Sequence, residues 1–226
     1  MEVVMLLYPR FQELDLTGPF EVLARFEELR IHLVWKTLDP VMDVNGLRIL
    51  PTATFADCPK ANILFVPGGP GQISLMEDAE VLAFLRRQAT GADYVTSVCT
   101  GSLVLAAAGL LTGYRATCHW LSLDQLGFFG VVPVKERVVI DRNRITGAGV
   151  TSGIDFALIL AATLFSEERA KQVQLAMEYD PKPPFAGGTP ASSSPELVES
   201  HRAEQAVFQG EREKVARRVA AALQKR

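Results

Sequence analysis

Short apolar runs alternate with amphipathic stretches through the first two thirds of this sequence, and that alternation is the mark of parallel β/α units. Glu2 to Tyr8 reads as a buried strand, Thr17 to Phe26 as a short helix opened by Thr-Gly-Pro, and Arg30 to Lys36 as a second strand. Ala61 to Val66 is a third strand that stops at Pro67-Gly68-Gly69-Pro70-Gly71, and Asp78 to Thr90 follows as an amphipathic helix. Tyr94 to Val98 has β-branched strand character, and Gly101 to Leu111 is a helix rich in Leu and Ala, so Cys99 stands at their junction. Arg137 to Ile140 and Arg144 to Ile145 suit a hairpin turning through Asp141-Arg142-Asn143. A long helix starts near Thr151 and contains the uncharged run Phe156 to Phe165. Asp180 to Pro195 is rich in Pro, Gly and Ser, after which a charged helical pattern runs from Glu196 to Arg226 with Val207, Val215, Val219 and Leu223 on a recurrent face. The expected organisation is an α/β domain over residues 1–180 and, over 181–226, a linker and helix that pack on the body or on a second subunit.

Charge and composition narrow the function. Of the 226 residues 48% are hydrophobic, enough for a substantial core, and the net charge of -3 lacks the basic excess that nucleic-acid binders use. Glu2 stands where a secretory leader would carry Lys or Arg, and Pro9 ends the first apolar run, so export is not expected. The uncharged stretch from Tyr94 to Tyr114 is interrupted by Thr96, Ser97, Thr100, Gly101 and Ser102 and is expected to be buried strand, turn and helix rather than a membrane span. Cys58, Cys99 and Cys118 are odd in number and lack C-x-x-C spacing, which suits a reducing cytoplasm. Neither a metal nor a cofactor is expected, because the three histidines are scattered and no acidic cluster has ligand spacing.

Ser97-Val98-Cys99-Thr100-Gly101 has the spacing of a nucleophile elbow, with a small residue two places after the reactive one. A thiol at a helix N-terminus meets the positive end of the dipole and free N–H groups, and both are expected to lower its pKa. The alternative is a buried small hydrophobe, the role expected of Cys58 and Cys118. Among the histidines, His32 lies in an apolar strand and His201 in the tail, leaving His119 as the one that could return to the site. Glu13 and Asp15 sit in the expected loop after the first strand, at the sheet edge where such loops converge. Asp15, between Leu14 and Leu16, is either a desolvated proton carrier or an N-cap. The Gly68-Gly69 turn lacks G-x-G-x-x-G and P-loop spacing, and offers either a backbone N–H to a developing anion or a plain turn.

Asp15-Leu16-Thr17-Gly18-Pro19, Val66-Pro67-Gly68-Gly69, Ser97-Val98-Cys99-Thr100-Gly101 and Ala116-Thr117-Cys118-His119-Trp120 together resemble the ThiJ and PfpI superfamily. The resemblance implies a flavodoxin-like three-layer α/β sandwich with a mostly parallel central sheet, here with a C-terminal helical extension, and a homodimer. Within the superfamily the chain resembles the isocyanide-hydrating branch over nearly its full length. That branch implies a small-molecule isocyanide substrate, a thioimidate intermediate on Cys99, Asp15 as the acid bonded to it, and Gly69 with Thr100 as backbone donors, Gly68 adjoining them in the substrate-binding turn. Thr100 stands where protease-like members carry His, which argues against a Cys-His hydrolase. Two other classes remain: a cofactor-free glyoxalase or deglycase acting on 2-oxoaldehydes, with His119 as proton carrier, and a ligand-sensing module of the kind fused to helix-turn-helix regulators.

Overall fold

The computed structural model describes residues 1–225. Along the chain run β1 (Glu2–Leu6), α1 (Glu13–Leu23), β2 (Arg30–Trp35), a small hairpin of β3 (Val41–Met42) and β4 (Arg48–Ile49), and β5 (Ala53–Thr54). Then follow β6 (Ile63–Val66), α2 (Gln72–Leu75), α3 (Ala79–Ala89), β7 (Tyr94–Val98), α4 (Gly101–Ala107), β8 (Arg115–Ala116), a 3-10 turn over Leu123–Phe129 and β9 (Val132–Pro133). The chain closes with β10 (Val138–Asp141), β11 (Arg144–Gly147), α5 (Ser152–Leu164), α6 (Glu167–Ala176) and α7 (Pro195–Leu223).

Seven strands form one sheet in the order β10, β11, β7, β6, β1, β2, β5, parallel throughout except for the β10/β11 hairpin. Strands covered on both faces have no need to alternate polar and apolar residues, and β6 is buried along its whole length. α1 packs against α5, with α6 beside it, while α4 contacts α2, α3 and α7. Right-handed crossovers put these two groups on opposite faces of the sheet. The result is a flavodoxin-like α/β sandwich. From β1 the chain moves to β2 on one side, whereas β6, β7 and β11 extend on the other, so the carboxyl ends of β1 and β6 flank the topological switch point.

Three expectations need correction. α1 begins at Glu13, not Thr17, so Asp15 lies in its first turn rather than in a loop. Pro19 sits inside the helix and leaves the Asp15 carbonyl without its usual i+4 donor; burial of Leu16, Val22 and Leu23 and two acids at the helix N-terminus offset that loss. The long helix after Thr151 is broken at Phe165, and α6 restarts from Ser166, whose Oγ accepts the Arg169 N–H at 3.3 Å. On α7, Val207 is 78% exposed, whereas Val215, Val219 and Leu223 are half-buried against the core; the fully buried stripe beside them is Arg212, Ala216 and Ala220, and the helix contacts α4, α2 and the 3-10 turn. Ser194 caps α7 and Pro195 opens it. The last residue of the expected tail helix, Arg226, lies outside the described residues.

Among the described residues no helix is long and apolar enough to cross a membrane; the stretch after Tyr94 folds as β7, the turn at Cys99 and α4.

Candidate active site

Between the end of β7 and the start of α4 only Cys99 and Thr100 remain to reverse the chain. Cys99 adopts φ 56°, the left-handed region that a side chain occupies only under constraint. Its N–H is tied to the Gly147 carbonyl of β11 at 3.0 Å. Gly101 passes directly under β6, where a Cβ would collide with the Val66 carbonyl, so the small residue two places after the cysteine is a steric requirement.

Asp15, fully buried, faces the turn after β6: its Oδ2 accepts the Gly68 N–H at 3.0 Å. Oδ1 has no partner of hydrogen-bond geometry, and the Cys99 thiol interacts with this carboxyl. Burial raises the Asp15 pKa to about 7, against the opposing pull of Cys99 and the Gly68 N–H. The thiol is pushed well above its ordinary value by burial, then by Asp15 and Cys118, and only the Thr100 N–H acts the other way. The expectation of a thiol acidified by the helix N-terminus is thus overturned. α4 has only seven residues, and one N–H does not offset a desolvated sulfur beside a carboxyl. The resting pair holds its proton mainly on sulfur, with the carboxyl poised near neutrality to receive it.

The two glycines after β6 are engaged within the site. Gly68 N–H holds Asp15, and Gly69 N–H donates to Thr100 Oγ1 at 3.1 Å. Gly69 has φ 135°, and a Cβ there would run into Gln12 and Phe11. Beneath them the Tyr8 hydroxyl donates to the Pro67 carbonyl at 2.9 Å, fixing the turn from the end of β1. Cys118 is buried near the site with its pKa raised to about 12, mainly by burial, whereas Cys58 is half-buried elsewhere, its Sγ against the Pro59 carbonyl at 3.3 Å.

A cavity of about 280 Å³ opens over Cys99 and Thr100, with Gly69, Gln12 and His119 on its wall. His119 is held neutral, its pKa lowered to about 4 by burial and then by Arg212. The remaining wall comes from α7: His201, Gln205, Phe208, Gln209 and Arg212, which recur at helical spacing along one face. Reading the sequence set His201 aside and missed the others and Tyr8. The spacing of the α7 residues was visible, but the valines beside them carried the stronger apolar signal.

The DJ-1/PfpI family model matches residues 1–163, which carry the elbow, the glycine turn and the acid. The chain belongs to the DJ-1/PfpI family. It is 50% identical to the isonitrile hydratase of Pseudomonas putida over 99% of this chain and 98% of that one. A ThiJ/PfpI family protein from Pseudomonas syringae shares 45% identity and a TM-score of 0.93, over 95% of this chain and 90% of that structure. The HTH-type transcriptional regulator GbdR of Pseudomonas aeruginosa is 33% identical over 77% of this chain but only 50% of its own length. In this DJ-1/PfpI protein α7, with Arg212, lies beyond the segment that the family model matches.

Proposed function

We propose that the chain is an isonitrile hydratase, adding water to R–N≡C to release an N-substituted formamide. The observation that carries this reading is the buried pair of Cys99 and Asp15, a thiol and a carboxyl with one readily shared proton. The isocyanide carbon has a lone pair, so a nucleophile adds there productively only if the same carbon is protonated. Asp15 takes the thiol proton as sulfur forms its bond to that carbon, and delivers the proton to it, giving a thioimidate, R–N=CH–S–Cys99. Water then attacks the carbon, Asp15 passing one of its protons to nitrogen; collapse of the adduct expels the sulfur, which takes the second proton through the same carboxyl. The formamide leaves with the oxygen of water, and the thiol is restored. Thr100 N–H, the backbone donor beside Cys99, eases the charge on sulfur at both stages.

A second reading, hydration and rearrangement of 2-oxoaldehydes, has its support in neutral His119 on the wall of the same cavity. The working form is a homodimer in a reducing cytoplasm, on the strength of the family resemblance and three unpaired cysteines. Incubation with an aryl isocyanide is expected to give N-formamide at a rate lost in Cys99→Ala. Lactate from methylglyoxal without formamide from the isocyanide would transfer the protein to the second reading.

A further inference from the structure

A buried cation normally has an acid beside it, since removing charge from water costs several kcal/mol on the order of magnitude found in proteins. Arg212 is 4% exposed and, among the described residues, forms no ion pair. Both of its hydrogen bonds leave from Nη1, to Ser122 Oγ and Gln209 Oε1 at 2.9 Å each. Nε is buried with no partner. The guanidinium is held in place by the Phe208 ring, 4.5 Å away, a contact that fixes its plane and consumes no donor. No Asp or Glu lines the cavity that Arg212 shares with Cys99.

We propose that Arg212 makes this cavity selective for isocyanides carrying an anionic group, a carboxylate above all. The Nε edge of the fork is the side on which a carboxylate engages arginine in two parallel bonds, and it is the unsatisfied side here. An incoming anion supplies the missing counter-charge and remains in the cavity while Cys99 works at the isocyanide end. His119 is held neutral mainly by burial, and the field of Arg212 acts in the same direction, so no competing cation stands beside the guanidinium. The proposal rests on the hydratase reading for its substrate and on the cavity alone for its anion.

The test is kcat/KM for isocyanoacetate and 4-isocyanobenzoate, each against its methyl ester. The free acid is expected to win by at least about tenfold in one pair or both, the size of a charge-assisted bidentate contact. Arg212→Gln should collapse that ratio and Arg212→Lys should keep part of it. Esters processed as well as acids by the wild-type protein overturn the proposal, whether or not the variants fold. If no isocyanide reacts, the hydratase reading fails, and the anion site is judged by protection of Cys99 from iodoacetamide. Protection by benzoate and not by benzamide upholds the anion site; equal or absent protection rejects it.

Discussion

Gly68 donates its N–H to Asp15 Oδ2 at 3.0 Å, and the same glycine stands so close to the site that a Cβ would lie 2.6 Å from that oxygen. The added carbon would also sit 2.7 Å from the Thr100 nitrogen and 2.8 Å from Cys99 Cβ. The Thr100 nitrogen and Cys99 Cβ are backbone or near-backbone atoms and have no room to yield. Gly68→Ala is therefore expected to cost about 1–3 kcal/mol in stability through overpacking and to remove most turnover. Thermal unfolding and formamide production measure the two effects, and an active, fully stable Gly68→Ala protein would contradict this geometry.

Asp15 raises the thiol pKa as well as serving it. In Asp15→Asn the amide oxygen can still accept from Gly68, but the negative charge beside sulfur is gone. The alkylation rate of Cys99 should thus rise at a lower pH than in the wild type, while hydration falls by about 10²–10⁴-fold for want of a proton carrier. A turnover loss without that shift would mean the carboxyl does not face the thiol.

The same carboxyl has a signature in stability. Burial raises it from 3.8 to about 7, so the folded state keeps a proton that the unfolded chain has released. Between those values stability falls as pH rises, and above 7 the folded protein carries the whole penalty of a buried carboxylate. Asp15→Asn should exceed the wild type in stability at pH 8, by at most about 4 kcal/mol, and the gain should fade toward pH 4. His119, lowered from 6.5 to about 4, acts with the opposite sign in part of this window, adding stability as pH rises. The comparison is accordingly made between variant and wild type at each pH by denaturant unfolding.

Ala216 is fully buried on the face that α7 turns to the body. An Ala216→Asp change places a carboxylate there without a partner, at a cost on the order of several kcal/mol for an uncompensated buried charge. Release of α7 would also open the cavity wall, so Cys99 should react faster with a bulky thiol reagent, and hydrogen exchange along α7 should rise. Unchanged access to Cys99 would show that α7 does not shield the site.

The local pattern carried most of the scaffold. β7 runs from Tyr94 to Val98 in the structure as in the sequence reading, because a β-branched run ending at a Cys-Thr-Gly junction has few other ways to fold. The hairpin through Asp141-Arg142-Asn143 follows the same logic, and Arg142 takes the positive φ, 55°, that its tight turn needs. The start of α1 was not legible in this way: Thr17-Gly18-Pro19 has the form of a helix opening, and the burial that keeps Pro19 inside the helix is tertiary.

Strand alternation, the elbow spacing and the glycine turn were written in the sequence, because each rests on sterics within a few residues. Charge states and the outer wall were not. The thiol pKa depends on how much water is removed and which acid lies across the fold, and Asp15, Gly68 and Cys99 come from three separate loops and helix ends that meet only at the switch point of the sheet. Arg212 is one more charge in a charged helix until α7 docks. Docking strips its water and leaves it facing the cavity above Cys99, and desolvation of that kind is a property of packing that no local pattern encodes.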